Sequence, residues 1–159
     1  MSWNLKWAVI GSLAALLSAA FGQEPVAPQA SPFVSADACM ECHAPYYQAW
    51  AETKHSNTFR RLEAAEREKV ECLRCHVTGT PDTIAAEGGK PSLPGVQCEA
   101  CHGAGRTHVE AAKAGVVKKG LVVRNPEEQT CKRCHNEGSP HYRPFFYGAM
   151  ATLVHRVKK

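Results

Sequence analysis

The sequence predicts an all-α, loop-rich domain whose short helices pack around material that is not polypeptide. Three observations lead there. Helix-start and helix-stop residues recur along the chain, at Pro45, at Gly105 and Gly115, at Asn125-Pro126 and at Pro144. Leu, Ile and Phe are thin after residue 22, while ten prolines and twelve glycines interrupt the 159 residues. Chains this short of apolar side chains usually recruit disulfides or a metal. Finally, all eight cysteines fall in four copies of one short frame.

Residues 1–22 stand apart. Trp7 to Phe21 carries no charge and follows Lys6, the only cation of the segment. The run is too short for a bilayer, which takes about 20 apolar residues. It matches the hydrophobic region of an export signal, with Ala20-Phe21-Gly22 as the small-residue site of cleavage before Gln23. An uncleaved N-terminal anchor is the alternative. Residues 23–34, with Pro25, Pro28 and Pro32, read as an extended tether. Residues 35–159 then form one domain, in which Trp50 is the only tryptophan.

Within that domain Pro45 suits the first turn of a helix. One face of it carries Tyr46, Tyr47 and Trp50, and His55 follows. Glu63 to Lys69 is a charged, helix-favouring run, read as a solvated face. Thr78 to Pro94 clusters Gly and Pro near its ends and lacks a period, so it reads as a loop. Gly105 precedes a short helix that carries His108, reaches Ala114 and stops at Gly115. Val116 to Val123 reads as a brief extended segment. Asn125, Pro126 and Glu128 resemble an N-cap, a first helical position and a third-position acid, opening the helix that delivers the last cysteine frame. Pro144 opens a final helix with Phe146, Met150, Leu153 and Val154 inward and His155 near its end.

The frames are Cys39-Met40-Glu41-Cys42-His43, Cys72-Leu73-Arg74-Cys75-His76, Cys98-Glu99-Ala100-Cys101-His102 and Cys131-Lys132-Arg133-Cys134-His135. C-x-x-C-H is the attachment signal for c-type haem. Two thiols three positions apart add to the two vinyl groups of one porphyrin, and the adjacent imidazole ligates the iron. A disulfide framework or paired zinc sites would use the cysteines but leave the four adjacent histidines idle. A thioredoxin-like redox pair does not recur four times in a small domain. The composition therefore implies four covalently bound haem c groups, held by Cys39, Cys42, Cys72, Cys75, Cys98, Cys101, Cys131 and Cys134. The irons are ligated by His43, His76, His102 and His135.

Of eight histidines, four lie outside the frames: His55, His108, His141 and His155. Four irons with six ligands each need four further donors, so the counts agree. All four are candidate iron ligands.

The chain resembles the tetrahaem cytochromes of the c-554 type. The resemblance rests on Cys39 to Phe59 (CMECHAPYYQAWAETKHSNTF), Gly95 to His108 (GVQCEACHGAGRTH) and Cys131 to His155 with its Ser139-Pro140. The chain is shorter than typical members around Thr78–Pro94 and between the last two frames. The resemblance implies a helical fold, haems in closely stacked pairs and an electron-carrying role. It pairs His43 with His108 on the first haem, His102 with His55 on the third, and His135 with His155 on the fourth. His76, on the second haem, has no obvious partner in that pattern, and His141 stands where the pattern requires no histidine.

The expected function is electron shuttling between a redox protein donor and acceptor, in the periplasm or outside the cell. A domain of this size has a radius of gyration near ~14 Å, so four haems inside it sit nearly in contact. Removing the leader lowers the formal charge of +4 by one. Haem propionates then add about −8 and ferric cores about +4, which brings the oxidised protein to about −1. The basic polypeptide is thus no argument for nucleic acid, and no basic patch with stacking aromatics supports it. Once the signal is cleaved, nothing predicts stable membrane insertion. Two rival readings stand beside the carrier. One is reduction of a nitrogen oxide or peroxide at an open second haem, although the chain has no C-x-x-C-K frame of the ammonia-forming nitrite reductases. The other is a subunit of a conductive cytochrome filament.

Overall fold

The computed structural model describes residues 30–86, 91–116 and 118–157, so the expected export signal and most of the tether lie outside the described residues. The α-helices are α1 (Ala36–Ala51), α2 (Val70–His76), α3 (Pro81–Ala86), α4 (Cys98–His102), α5 (Arg106–Lys113), α6 (Glu128–Lys132) and α7 (Tyr147–Val154), and two 3₁₀ turns, His55–Asn57 and Phe59–Arg61, follow α1. Among the described residues β structure is limited to one antiparallel bridge, Val77 to Pro94.

Helix α1 is two helices in tandem, broken at His43, where φ is −121° and ψ is 37°. Pro45 lacks an N–H and its ring crowds the carbonyl four residues back. The chain therefore leaves helical geometry at the histidine and resumes with the proline in the first turn, as the sequence predicts. Helix α5 also runs as expected, from Gly105 as its N-cap to Ala114 as its C-cap, and Gly115 follows with φ of +72°.

Several segments differ from expectation. The Thr78–Pro94 loop contains α3 and is pinched shut by the Val77–Pro94 bridge. Glu63 to Glu68 forms turns rather than helix. There Glu66 Oε2 accepts from the Glu63 N–H, and Arg67 donates back to the Leu62 and Arg60 carbonyls. Such side-chain bonds to backbone compete with the helical ladder. Helix α6 starts at Glu128 with Glu127 as its N-cap, two residues after the Asn125-Pro126 signal. Near the C-terminus Phe146, Met150 and Leu153 are exposed, so the burial expected of α7 does not come from polypeptide.

The apolar core is small. Leu62, Leu73, Val77 and Ile84 form it, with Phe59 and Cys72 packed against it. It sits where α2 meets α3, under the second cysteine frame. Elsewhere buried polar groups tie the helices together through the Pro94–Glu99 strap. The Gln97 side chain accepts from Ala36 N–H at 2.8 Å and donates to the Pro94 carbonyl, while Thr78 Oγ1 accepts from Gln97 N–H and donates to the Gly95 carbonyl. Trp50 Nε1 donates to the Val96 carbonyl at 2.8 Å. Glu99, 5% exposed, accepts from the N–H of Val34 with both carboxylate oxygens and from Gly105 N–H at 2.7 Å. Helix α4 thereby fixes the starts of both α1 and α5. Gly95 lies on the strap with φ of +88°, and a Cβ there would stand 2.7 Å from the Ser56 carbonyl oxygen. Only glycine meets both demands.

Candidate haem-binding sites

Each cysteine frame lies at the end of a short helix. Residues three apart share a helical face, so both thiols of a frame point to one side and the histidine closes the turn. His76 ends α2, His102 ends α4 and His43 marks the break in α1. The fourth frame enters on α6 with Cys131 and continues through a turn in which Cys134 and His135 N–H groups bond to the Cys131 carbonyl. Gly103, with φ of +85°, lets the chain turn away directly after His102.

The frames meet out of sequence order. The Cys39 thiol interacts with Cys98, and Cys75 with Cys134. Cys101 lies within electrostatic range of Cys131, and Arg133 donates to the Ala100 carbonyl at 2.8 Å. The attachment points thus follow one another as first, third, fourth, second. No two of the eight cysteines are joined by a disulfide. Among the described residues no three of His, Cys, Asp and Glu converge as metal ligands.

Six of the eight histidines stand in facing pairs. The ring centres of His43 and His108 are 6.4 Å apart with planes at 18°, those of His102 and His155 are 5.9 Å apart at 37°, and those of His55 and His135 are 6.0 Å apart at 76°. An imidazole nitrogen binds a transition metal at about 2 Å and lies roughly 1 Å from its ring centre, so two imidazoles on opposite sides of one metal have centres about 6 Å apart. All three spacings fit one iron between two rings. One apolar cavity is lined by Cys98, Cys101 and His102 together with both His55 and His155, Trp50 and Val154. The residues present therefore fit haem c.

The first contact joins the pair that the resemblance implies; the ring contacts of His55 and His155 are to His135 and His102, while His55, His102 and His155 share one cavity. The reason lies in the tertiary structure. The 3₁₀ turn carrying His55 is bonded to the strap between the second and third frames, through Val96 N–H to the His55 carbonyl. That sets the His55 ring beside His135 and in the cavity of the third frame, and the C-terminus of α7 brings His155 beside α4. His76 faces no second imidazole among the described residues, and His141 is exposed in the turn after the fourth frame without a ring contact.

The shell behind the ligands is made largely of backbone. Nδ1 of His76 donates to the Thr58 carbonyl at 2.8 Å, and Nδ1 of His102 to the Val123 carbonyl at 2.6 Å. A carbonyl can only accept, so each Nδ1 carries the proton and each Nε2 keeps its lone pair for a metal. Phe145 lies flat against His135, with ring centres 4.8 Å apart at 18°. Nδ1 of His155 is buried without a hydrogen-bond partner. Burial, aided by the facing His135, holds His55 below the ordinary imidazole value, and burial with His102 alongside does so at His155. Sequence reasoning misses Thr58 and Val123 because they act through carbonyls, which leave no side-chain signature. Glu99 lies inside a cysteine frame, and only its burial shows its role.

A family described as cytochrome c554 and c-prime matches residues 38–103. Cytochrome c-554 of Nitrosomonas europaea is 31% identical over 160 residues, covering 80% of this chain and 67% of that protein. The chain belongs to the cytochrome c-554 family. It is accordingly a haem c-binding, multihaem cytochrome of electron transfer. The solved structure of reduced cytochrome c554 from Nitrosomonas europaea is 25% identical, with 79% of each chain covered and a TM-score of 0.44. Among the described residues no helix is long and apolar enough to cross a membrane.

Proposed function

We propose that the chain carries four haems c, one on each cysteine frame, and shuttles electrons between two redox proteins outside the cytoplasm. Residues 1–22 serve as the export signal, 23–34 as a tether, and 35–159 as the haem domain. The observation that carries the reading is the set of three imidazole pairs, each about one iron apart and each including a histidine next to a cysteine pair. His43 and His108 hold the first haem, His102 and His155 the third, and His55 and His135 the fourth. The haem supplies one-electron exchange at an iron that its two imidazoles saturate. The polypeptide fixes the spacing. Its attachment points run first, third, fourth, second, so adjacent frames are joined without a gap. Donor and acceptor dock transiently, through the small interfaces usual for redox partners.

Intact mass after denaturation tests the count, and anaerobic reductive titration tests the function. Four haem masses and four electrons taken up per chain support the reading. A smaller uptake at full haem content refutes it.

A second reading has its own support. His76 lacks the facing imidazole that the other three frame histidines have, and His141 is exposed, so the second iron is open to a small ligand such as a nitrogen oxide or peroxide. Binding of nitric oxide or cyanide to one haem per chain supports it, and no binding ends it.

A further inference from the structure

We propose that Thr58 is a positioning residue that joins the histidines of the second and fourth haem sites into one hydrogen-bonded unit. The inference rests on the reading of His76 and His55 as iron ligands. Thr58 touches both with main chain and side chain. Its carbonyl accepts from Nδ1 of His76 at 2.8 Å. Its hydroxyl lies 3.1 Å from the His55 carbonyl oxygen and 3.1 Å from that of His76, so one O–H proton is shared between them. The same hydroxyl accepts from Val96 N–H at 3.2 Å.

The strap closes the unit. Val96 N–H also bonds the His55 carbonyl, Gly95 N–H bonds the His76 carbonyl, and Trp50 anchors Val96 to α1. The two sites are also the ones whose Cys75 and Cys134 thiols meet. At the third site the corresponding carbonyl belongs to Val123, whose side chain has no polar atom and links His102 to no other histidine.

What the Nδ1–H of a ligating imidazole meets fixes the ring's orientation and basicity. A shift of the Thr58 backbone therefore alters His76 directly. Because the hydroxyl spans both histidine carbonyls, the same shift moves the turn that carries His55.

The test uses Thr58→Val, which keeps the shape and loses the hydroxyl, and Thr58→Ser, which keeps the hydroxyl. The fold tolerates the first change, since Val96 N–H, Gly95 N–H and the His55 carbonyl each keep a partner. Intact mass comes first: wild-type protein with fewer than four haems overturns the haem reading itself. With four haems present, ferric electron paramagnetic resonance of Thr58→Val should show the signals of the second and fourth haems shifted together. Those of the first and third should be unchanged, and Thr58→Ser should match wild type. Unchanged signals in Thr58→Val, a shift at only one of the two haems, an equal shift at all four, or a Thr58→Ser spectrum like that of Thr58→Val each overturn the inference.

Discussion

Replacing Glu99 by alanine removes the acceptor for the N–H groups that start α1 and α5. Val34 N–H reaches the two carboxylate oxygens at 2.9 and 3.0 Å, and Gly105 N–H reaches one of them at 2.7 Å. A donor left buried without a partner costs about 1–3 kcal/mol, so two of them cost about 2–6 kcal/mol, against a total stability of about 5–15 kcal/mol. Glu99→Gln should fall between wild type and alanine, because one amide oxygen still accepts while the amide nitrogen cannot. The pH dependence has a definite sign. Burial raises the Glu99 carboxyl above its ordinary value, and the Val34 and Gly105 N–H groups with Arg106 offset that only in part. The folded state therefore binds this proton more tightly than the unfolded state. The group's contribution to stability is fully present below the ordinary carboxyl value of about 4.3, and it is lost as pH rises through the raised folded value. Urea unfolding of the holoprotein, followed by far-ultraviolet circular dichroism across that pH range, measures both effects. A Glu99→Ala protein within about 0.5 kcal/mol of wild type refutes the clamp. A Glu99→Gln protein with the wild-type pH slope refutes the assignment of that slope to Glu99.

Four further outcomes follow from the same geometry. Leu73 is 1% exposed in the small core, so Leu73→Ala should cost about 2–5 kcal/mol by calorimetry or denaturant unfolding. Gly95→Ala meets the Ser56 carbonyl at an unfavourable φ, and it should disturb the spectra of the haems held by His55 and His76 while sparing the first. His108→Ala should convert one low-spin iron to high spin with all covalent haem retained, read from the visible spectrum and intact mass. His55→Ala should remove the same low-spin signal that His135→Ala removes, and His155→Ala the one that His102→Ala removes. The opposite correspondence restores the partners implied by the family resemblance.

The cysteine frames, the helix start at Pro45 and the limits of α5 were legible in the sequence because each depends on local covalent chemistry. A ring without an N–H, a glycine beyond a helix end and a five-residue attachment signal act within one turn of chain. The ring contacts of His55 and His155 were not legible, since they depend on where the strap carries a 3₁₀ turn and where α7 ends. Helix content in Glu63–Lys69 was overestimated because Glu66 and Arg67 spend their side chains on nearby backbone. The inward face assigned to Phe146, Met150 and Leu153 followed from apolar spacing alone. An α7 that is apolar on several sides gives that spacing little power to choose a face. Thr58 and Val123 left no trace because the atoms that matter belong to the backbone.

Ferric electron paramagnetic resonance of the four-haem protein at low temperature tests the central claim most directly. The account predicts three low-spin irons and one high-spin iron. One low-spin signal should be rhombic, from the near-parallel His43 and His108 rings, and one strongly anisotropic, from the near-perpendicular His55 and His135 rings. Four low-spin irons with no high-spin component contradict the isolation of His76, and more than one high-spin iron contradicts the three imidazole pairs.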